Sequence, residues 1–561
     1  MIAALKDPKV RTRINALSGV SRLEPALARK HLTIALDDAV PQVRAEAARF
    51  VGPFLPFDEF ASDSKLALMA ANDPSPFVRL HAVLQLHDDR SLKAIAPLLA
   101  DTDPFLAGAA LEGLGRPGKS DLLLPLLESK DARQRLGILL AIRRAQGPGA
   151  RNRMPQFLAD PDPAVRRAAI QWVAEDRLTE HKEAIAKSAL KEPVTRELLE
   201  ALLAAQQMLD ADPKKPLAES SGEEQVVRII KDGKQPIVFR QFVLKMLRPD
   251  HPALTINLLK AMFDSANGSG RLEVVRTLSM RADDPTQDWL RAIAVDDKLD
   301  QRLRAIAVVG LAQSASTSRG TRKALFALLE IQSLQRDVLR SLRGVNLDID
   351  EKIALFTWFR ELPNQKTSSI EGHRELADQL LLALRSGNVK DKDELLELSR
   401  IVGKQPVNDG ELRTLLGGPG NAESGERVFY HLRGARCAVC HRIDGRGGLV
   451  GPDLSTIGKS LDRDKLIDSI LTPSKEIAPA FTTWNVTMVD GKKHTGIILG
   501  ENFDSTLTLA DADGKRFTLK KLDIEDRQAS TKSLMPEDLH RLMTRQEFRD
   551  LLEFLAPTKR E

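Results

Sequence analysis

Cys437-Ala438-Val439-Cys440-His441 carries both cysteines of the 561-residue chain, and a histidine follows the second directly. This is the spacing of covalent haem attachment. Two thiols separated by two residues match two porphyrin vinyl groups, and the adjoining imidazole then lies beneath the iron as proximal ligand. Two other chemistries use a Cys-x-x-Cys pair. Structural zinc needs two further donors at workable spacing, and the sequence has no second cysteine pair and no clustered histidine pair. A thioredoxin-type dithiol wants a strand before it and a helix after it, whereas Arg442 to Gly451 is a glycine-rich loop. One covalently held haem c is the expected cofactor.

Working outward, Asn421-Ala-Glu-Ser-Gly425-Glu-Arg-Val-Phe429-Tyr430 reads as a capped helix start. Asn421 is the cap, Glu423 and Glu426 suit the positive helix end, and Gly425 and Phe429 share a face. Downstream, Gly451-Pro452-Asp453-Leu454 places a proline carbonyl where it accepts the Nδ1 hydrogen of His441, which leaves Nε2 for iron. Met535-Pro536 precedes a last helix, Arg545 to Leu555, with Phe548, Leu551, Leu552 and Leu555 at helical spacing. A thioether opposite the imidazole closes the coordination sphere and raises the potential. Met535 is the preferred second metal ligand beside His441, because the following proline stiffens its loop. Met543, Met488, His540 and His494 compete for that position.

These segments together resemble a class I c-type cytochrome. They are similar in particular to the haem-binding domain of Pirellula/Verrucomicrobium type, in which a β-rich insert separates the haem loop from the Met-Pro segment and helical repeats precede the domain. The resemblance covers about the last quarter of the chain. It implies Cys437 and Cys440 as attachment points, His441 as proximal ligand and Met535 as distal ligand. It also implies an electron donor of dehydrogenase type, often fused upstream, and completion outside the cytoplasm, periplasmic or otherwise extracytoplasmic. Met1-Ile-Ala-Ala-Leu-Lys-Asp lacks the features of a secretory signal, so the expectation is a piece of a longer exported protein.

Between the haem loop and Met535, Asp462 to Leu471 reads as a short helix, and residues 483–526 then alternate like a β-module. Asp490-Gly491 and Asp513-Gly514 sit between its apolar runs as hairpin turns. Shielding the haem edge, docking a partner and merely filling the loop are equal readings of this insertion. Arg433, Arg436, Arg442 and Arg446 surround the motif. They either steer an acidic redox partner, pair with haem propionates or solubilise the loop.

The rest of the chain is repetitive. Asp7-Pro8-Lys-Val10-Arg11, Val40-Pro41-Gln-Val43-Arg44, Pro74-Ser-Pro76-Phe77-Val78-Arg79 and Asp162-Pro163-Ala-Val165-Arg166 share a turn-Pro-x-apolar-Arg phrase, each followed by an Ala/Leu-rich helical stretch. Weaker copies start at Asp103 and Pro193. The pattern resembles HEAT-type repeats, which stack into an α-solenoid. An arginine repeated once per unit is expected to pair with an acidic residue of the neighbouring turn. The phrase fades after Gln206 while helical periodicity persists. Turns are expected at 214–222, at Ser265 to Gly270 and at Ser314 to Gly320. The glycines near Asn267 lack the strand and Lys-Ser/Thr of a phosphate loop.

The fold class expected is mainly α, a HEAT-like solenoid followed by a helical cytochrome domain with a small β-rich insertion. The boundaries are 1–205 repeats, 206–415 degenerate repeats, 416–420 a Gly/Pro linker, and 421–561 the cytochrome domain. Hydrophobic residues make up 42% and charged residues 29%, ordinary for a folded chain, and a net charge of +5 without like-charge blocks gives no footprint for nucleic acid. No apolar run reaches the ~20 residues of a membrane-spanning helix. Trp172, Trp289 and Trp358 read as core. His31, His81, His87, His181, His251 and His373 are too scattered to share a metal. No hydrolytic or transfer centre is legible. Two functions compete: an electron carrier serving a redox partner or dehydrogenase, and a solenoid scaffold in which the haem is a sensor. Oligomeric state is not written in the sequence.

Overall fold

Arg44 shows how the amino-terminal repeats are joined. It donates from Nε and Nη2 to both carboxylate oxygens of Asp73, each at 2.9 Å, and from Nη1 to the Asp38 carbonyl at 2.9 Å. Asp73 also accepts the Ser75 amide, so one carboxylate shapes the turn before its own helix and receives the arginine of the preceding repeat. The same rung recurs as Arg13–Asp38 at 3.0 Å, Arg79–Asp101 at 2.6 Å and Arg135–Asp160 at 2.8 Å. These arginines stack repeats and form no ligand ridge. Arg13, Arg44 and Arg135 make two-pronged pairs, stronger than ordinary surface contacts, whereas Arg79 spends its Nε on the Ala70 carbonyl.

Two rungs depart from the sequence reading. In the first repeat Arg13 does the pairing and Arg11 is exposed. The helix there begins at Val10, so Asp7-Pro8 aligns with Asp38-Ala39 and the phrase is displaced by two residues. At the last rung Arg166 meets no carboxylate, because Lys191 stands at the aspartate's position. Its buried guanidinium is satisfied by the carbonyls of Ser188, Lys191 and Pro193 at 3.1, 2.7 and 2.8 Å. The helices Pro41–Val51, Pro76–Val83 and Pro163–Glu175 all start with proline at the first turn, where its missing donor costs nothing.

The computed structural model describes residues 1–55, 64–86, 89–118, 123–146, 149, 151–211, 222–362, 369–384, 392–403, 409–502 and 505–557. His87 and the 214–221 part of the expected loop lie outside them. The chain is mainly helical with small antiparallel sheets near its carboxyl end, and it forms two compact units, Met1–Gly222 and Glu223–Glu561. The helix Arg196–Asp210, capped by Thr195, runs through residue 205, and the two compact units divide at Gly222 instead. Among the described residues no helix is long and apolar enough to cross a membrane.

The second unit holds both the later helices and the carboxyl-terminal domain. The expected turn at Ser265 to Gly270 is shorter than predicted, since a helix already begins at Gly268. Gly270 lies in its first turn, where a Cβ would come within 2.1 Å of the Gln241 amide. Trp358 is buried and Trp289 packs edge-on against Phe263 at 5.5 Å, as core residues do.

Further on, Asn421 caps the helix Ala422–Tyr430 through the Ser424 amide at 2.9 Å. This leading helix crosses the last helix, Arg545–Leu555, at Gly425, where an added Cβ would sit 1.9 Å from the Asp550 carbonyl oxygen. Phe429, Phe548, Leu551 and Leu552 fill the crossing, and Leu466 and Ile467 of Arg463–Leu471 join them in one apolar core. Residues 416–420 are no free linker: Leu416 is buried in that core and Arg549 donates to the Leu415 carbonyl at 2.9 Å.

Among the described residues seven strands belong to this domain. β1 (Arg442–Ile443) and β2 (Arg446–Gly447) form a small hairpin. β3 (Thr483–Met488), β4 (Lys493–Glu501), β5 (Thr506–Ala510), β6 (Arg516–Lys520) and β7 (Ile524–Ala529) form an antiparallel sheet in the order β6-β5-β4-β3-β7. The insertion therefore extends to Ala529 instead of ending at 526, because β7 pairs along β3. Gly491 and Gly514 turn the hairpins at φ +80° and +78°.

Candidate functional site

Cys437–Cys440 is a single helical turn, closed by the His441 amide donating to the Cys437 carbonyl at 2.9 Å. The turn brings both thiols, which are unbridged, and the imidazole to one place. His441 Nδ1 lies 3.0 Å from the Pro452 carbonyl oxygen. A carbonyl only accepts, so Nδ1 carries the hydrogen and Nε2 keeps its lone pair. Burial lowers the pKa of His441, with the Pro452 bond opposing, which keeps the ring neutral and able to ligate. The loop folds back this closely only because of its glycines. A Cβ at Gly451 would meet the His441 ring at 2.6 Å, and Gly447 takes φ +109° against the His441 carbonyl.

Met535 packs against the same apolar core as Cys437 and Ala438. Its loop is pinned by the Met535 amide donating to Ser533 Oγ at 3.2 Å and the Ser533 amide donating to Ser474 Oγ at 3.1 Å. Of the competitors, Met488 packs with the sheet core and His494 lies against Phe517 in the sheet, ring centroids 4.7 Å apart. Met543 is buried inside the domain core, and His540 keeps a buried Nδ1 without a hydrogen-bond partner. The residues able to hold a haem are thus Cys437, Cys440 and His441, with Met535 on the core that Cys437 packs against.

The other two chemistries of the motif are poorly served. Burial pushes the Cys437 thiol up to about 12 and that of Cys440 upward, the reverse of the activation a redox dithiol needs. Among the described residues no three His, Cys, Asp or Glu side chains converge as a metal-holding group, so zinc has no tetrahedral donor set.

The arginines near the motif differ from the sequence expectation. Arg433 donates inward to the Ala312 and Arg343 carbonyls at 3.0 and 2.8 Å. Arg446 is buried and pairs with Glu273 at 2.9 Å. Neither is available to steer a partner. Arg436 remains at the surface, 3.3 Å from Asp513.

Sequence reading missed the ionic seam that seats this domain on the preceding helices. Glu547 accepts from Arg343 at 2.9 Å and from Arg340, while Asp337 receives Arg340 at 2.7 Å and Arg427 at 2.9 Å. Burial alone would raise the Glu547 carboxyl, but Arg343 and Arg340 outweigh it and hold it well below the usual range. Likewise burial opposes ionisation of Glu273, yet Arg446, Arg276 and Lys245 bring it down to about 2. Buried His431, also unremarked in the sequence, sits 3.1 Å from Ser341 Oγ. Burial and then Arg340 and Arg343 push its pKa far down. The only sequence signal was the Thr544-to-Glu547 capping box, which the structure forms and which aims Glu547 at the seam.

Glu375 closes the seam, accepting from Thr544 Oγ1 at 2.7 Å and Gln379 Nε2 at 2.9 Å. Burial and the neighbouring charge of Glu547 push its carboxyl up to about 7, with weaker opposition from those hydrogen bonds and Arg336. A carboxyl raised in the folded state contributes stability that is complete below its ordinary value and is lost as pH rises through 7. Glu375→Gln, which keeps an acceptor and cannot ionise, is therefore expected to leave urea stability unchanged at pH 5 and to raise it at pH 8. Equal curves for the two proteins at pH 8 would show that Glu375 carries no such penalty.

No family model and no curated protein matches the chain. Among solved structures it is similar to human deoxyhypusine hydroxylase in complex with glycerol, at 17% identity over 45% of this chain and 95% of that one, with a TM-score of 0.18. It is also similar to an engineered protein from a structural-genomics programme, at 16% identity, 74% and 93% coverage and a TM-score of 0.19. The S. pombe condensin Cnd3-Cnd2 subcomplex matches at 13% identity, 76% and 71% coverage and a TM-score of 0.25. At such scores these likenesses carry no argument. The chain's own arginine ladder and helix order define it as a helical-repeat protein, ending in a helical domain with an inserted antiparallel sheet.

Proposed function

We propose that the carboxyl-terminal domain is an electron-transfer module of c-type cytochrome character, carried on a helical-repeat scaffold and working outside the cytoplasm with a dehydrogenase or similar donor. The observation that supports it most is the tether of His441 to Pro452 beside two thiols in one helical turn, with Met535 on the same core. A covalently bound haem supplies one-electron chemistry when present. The chain's own residues do the rest: Cys437 and Cys440 anchor, Pro452 sets the tautomer of His441, and Met535 offers a thioether from a pinned loop. The buried seam holds the domain against its scaffold, and the apolar core excludes water from one side of the site.

Protein produced with a cytochrome c maturation system is expected to be coloured and heavier by one haem. Met535→Leu is expected to lose the long-wavelength band of sulfur-ligated ferric haem while keeping the added mass. Colourless protein at the mass of its amino acids would overturn the haem reading. A band that survives in Met535→Leu would reassign the distal position, with His540→Ala the next variant to read.

A further inference from the structure

The two cysteines of the motif are covered by different parts of the domain. Cys437 packs on the core built by the leading and last helices. Cys440 packs instead in a separate cluster to which the inserted sheet contributes Ile497, Leu499 and Ala510, and which also contains Leu534, next to Met535 in sequence. The turn joining β5 to β6 reaches the motif directly. Cys440 Sγ lies 3.7 Å from the Ala512 carbonyl oxygen, and Asp513 receives Arg436 at 3.3 Å. Gly514 lies beside the motif, where a Cβ would be in ordinary contact with the Val439 carbonyl oxygen at 3.4 Å. The turn itself is made rigid by Asp511, whose carboxylate accepts the amides of Asp513 and Lys515 at 3.0 and 2.9 Å.

We infer that the inserted sheet is the wall of the attachment site on the Cys440 side, with Arg436 and Asp513 as its latch. This deepens the haem reading and rests on it. The helical core takes in only Cys437. The second is left to the insertion, which packs on that edge through a hairpin turn and not through a helix. Asp513 and Arg436 are positioning residues: they hold the turn, and the turn covers the sulfur. With haem in place, a closed wall lowers the local dielectric and favours the less charged reduced state.

The test uses the full chain twice. In protein made without maturation, both thiols are titrated with iodoacetamide and the modified cysteine is read by mass spectrometry. Asp513→Ala and Arg436→Glu are each expected to speed alkylation of Cys440 by about two- to fivefold, the range an exposed ion pair commands, and to leave Cys437 unchanged. The swap that combines Arg436→Glu with Asp513→Arg is expected to restore the slow rate. Rates equal to wild type in the single variants, equal acceleration of both thiols, or no recovery in the swap would each overturn the latch. So would a wild-type Cys440 that reacts as fast as in urea. Should no haem attach while the thiol rates behave as stated, the haem reading fails and the wall stands. Should haem attach while the thiol rates do not respond, the wall fails and the haem reading stands.

Discussion

Glu547→Ala is expected to destabilise the chain by about 3–5 kcal/mol, the cost of removing one partner from a buried ion pair. Arg340 and Arg343 are almost wholly buried and both direct guanidinium nitrogens at Glu547. Without that carboxylate two cations remain in a low-dielectric seam with Asp337, Gln379, Glu375 and the Leu542 carbonyl to answer them. The same change removes the reciprocal cap of the last helix, since Glu547 accepts the Thr544 amide at 2.9 Å. Urea unfolding of the full chain measures the loss, with Lys492→Ala as control, because the Asp490–Lys492 pair is exposed and its side-chain contact is screened by water. A Glu547→Ala effect no larger than the control's would mean that the seam is solvated.

Gly425→Ala tests the helix crossing, where two effects have opposite signs. Alanine in a helix interior ordinarily gains about 0.5–1 kcal/mol over glycine. Here its Cβ would sit 1.9 Å from the Asp550 carbonyl oxygen and 2.8 Å from the Phe554 Cβ. Backbone atoms of a packed helix cannot swing aside as a flexible side chain does, so the helices must separate, at about 1–3 kcal/mol for overpacking. A net loss is expected in urea unfolding, since Phe429 and Phe548 fill the core at this crossing. Gly268→Ala, at a helix start with open space around its Cβ position, is expected to be neutral or stabilising. Stabilisation by Gly425→Ala would refute the close crossing.

The seam bears on how the proposed electron-transfer module works. A domain joined through buried Arg340, Arg343, Asp337 and Glu547 is held in one pose on its helices. Its acid and base limits follow from the same residues. Stability from Glu547 is lost as pH falls toward and below the ordinary carboxylate range, and that from neutral His431 is lost as pH falls through about 6.5. Glu375 acts in the opposite direction above 7.

Much of the local pattern was legible in the amino-acid order. The Cys437–His441 pentapeptide, the Asn421 cap, the Arg545–Leu555 helix, the Asp-Gly turns and the repeat phrase depend on spacings of a few residues. Capping, φ preference and helical period act at that range. What only the tertiary structure decided lies at long sequence separation. Arg340 meets Glu547 across 207 positions and Arg446 meets Glu273 across 173. The first ladder arginine proved to be Arg13 because the helix start, and not the phrase, sets the register. Arg433 and Arg446 turned inward because a neighbouring helix layer supplied carbonyls and a carboxylate that no local pattern announces. A charge reads the same in sequence whether water or a buried partner will face it, and only packing chooses between them.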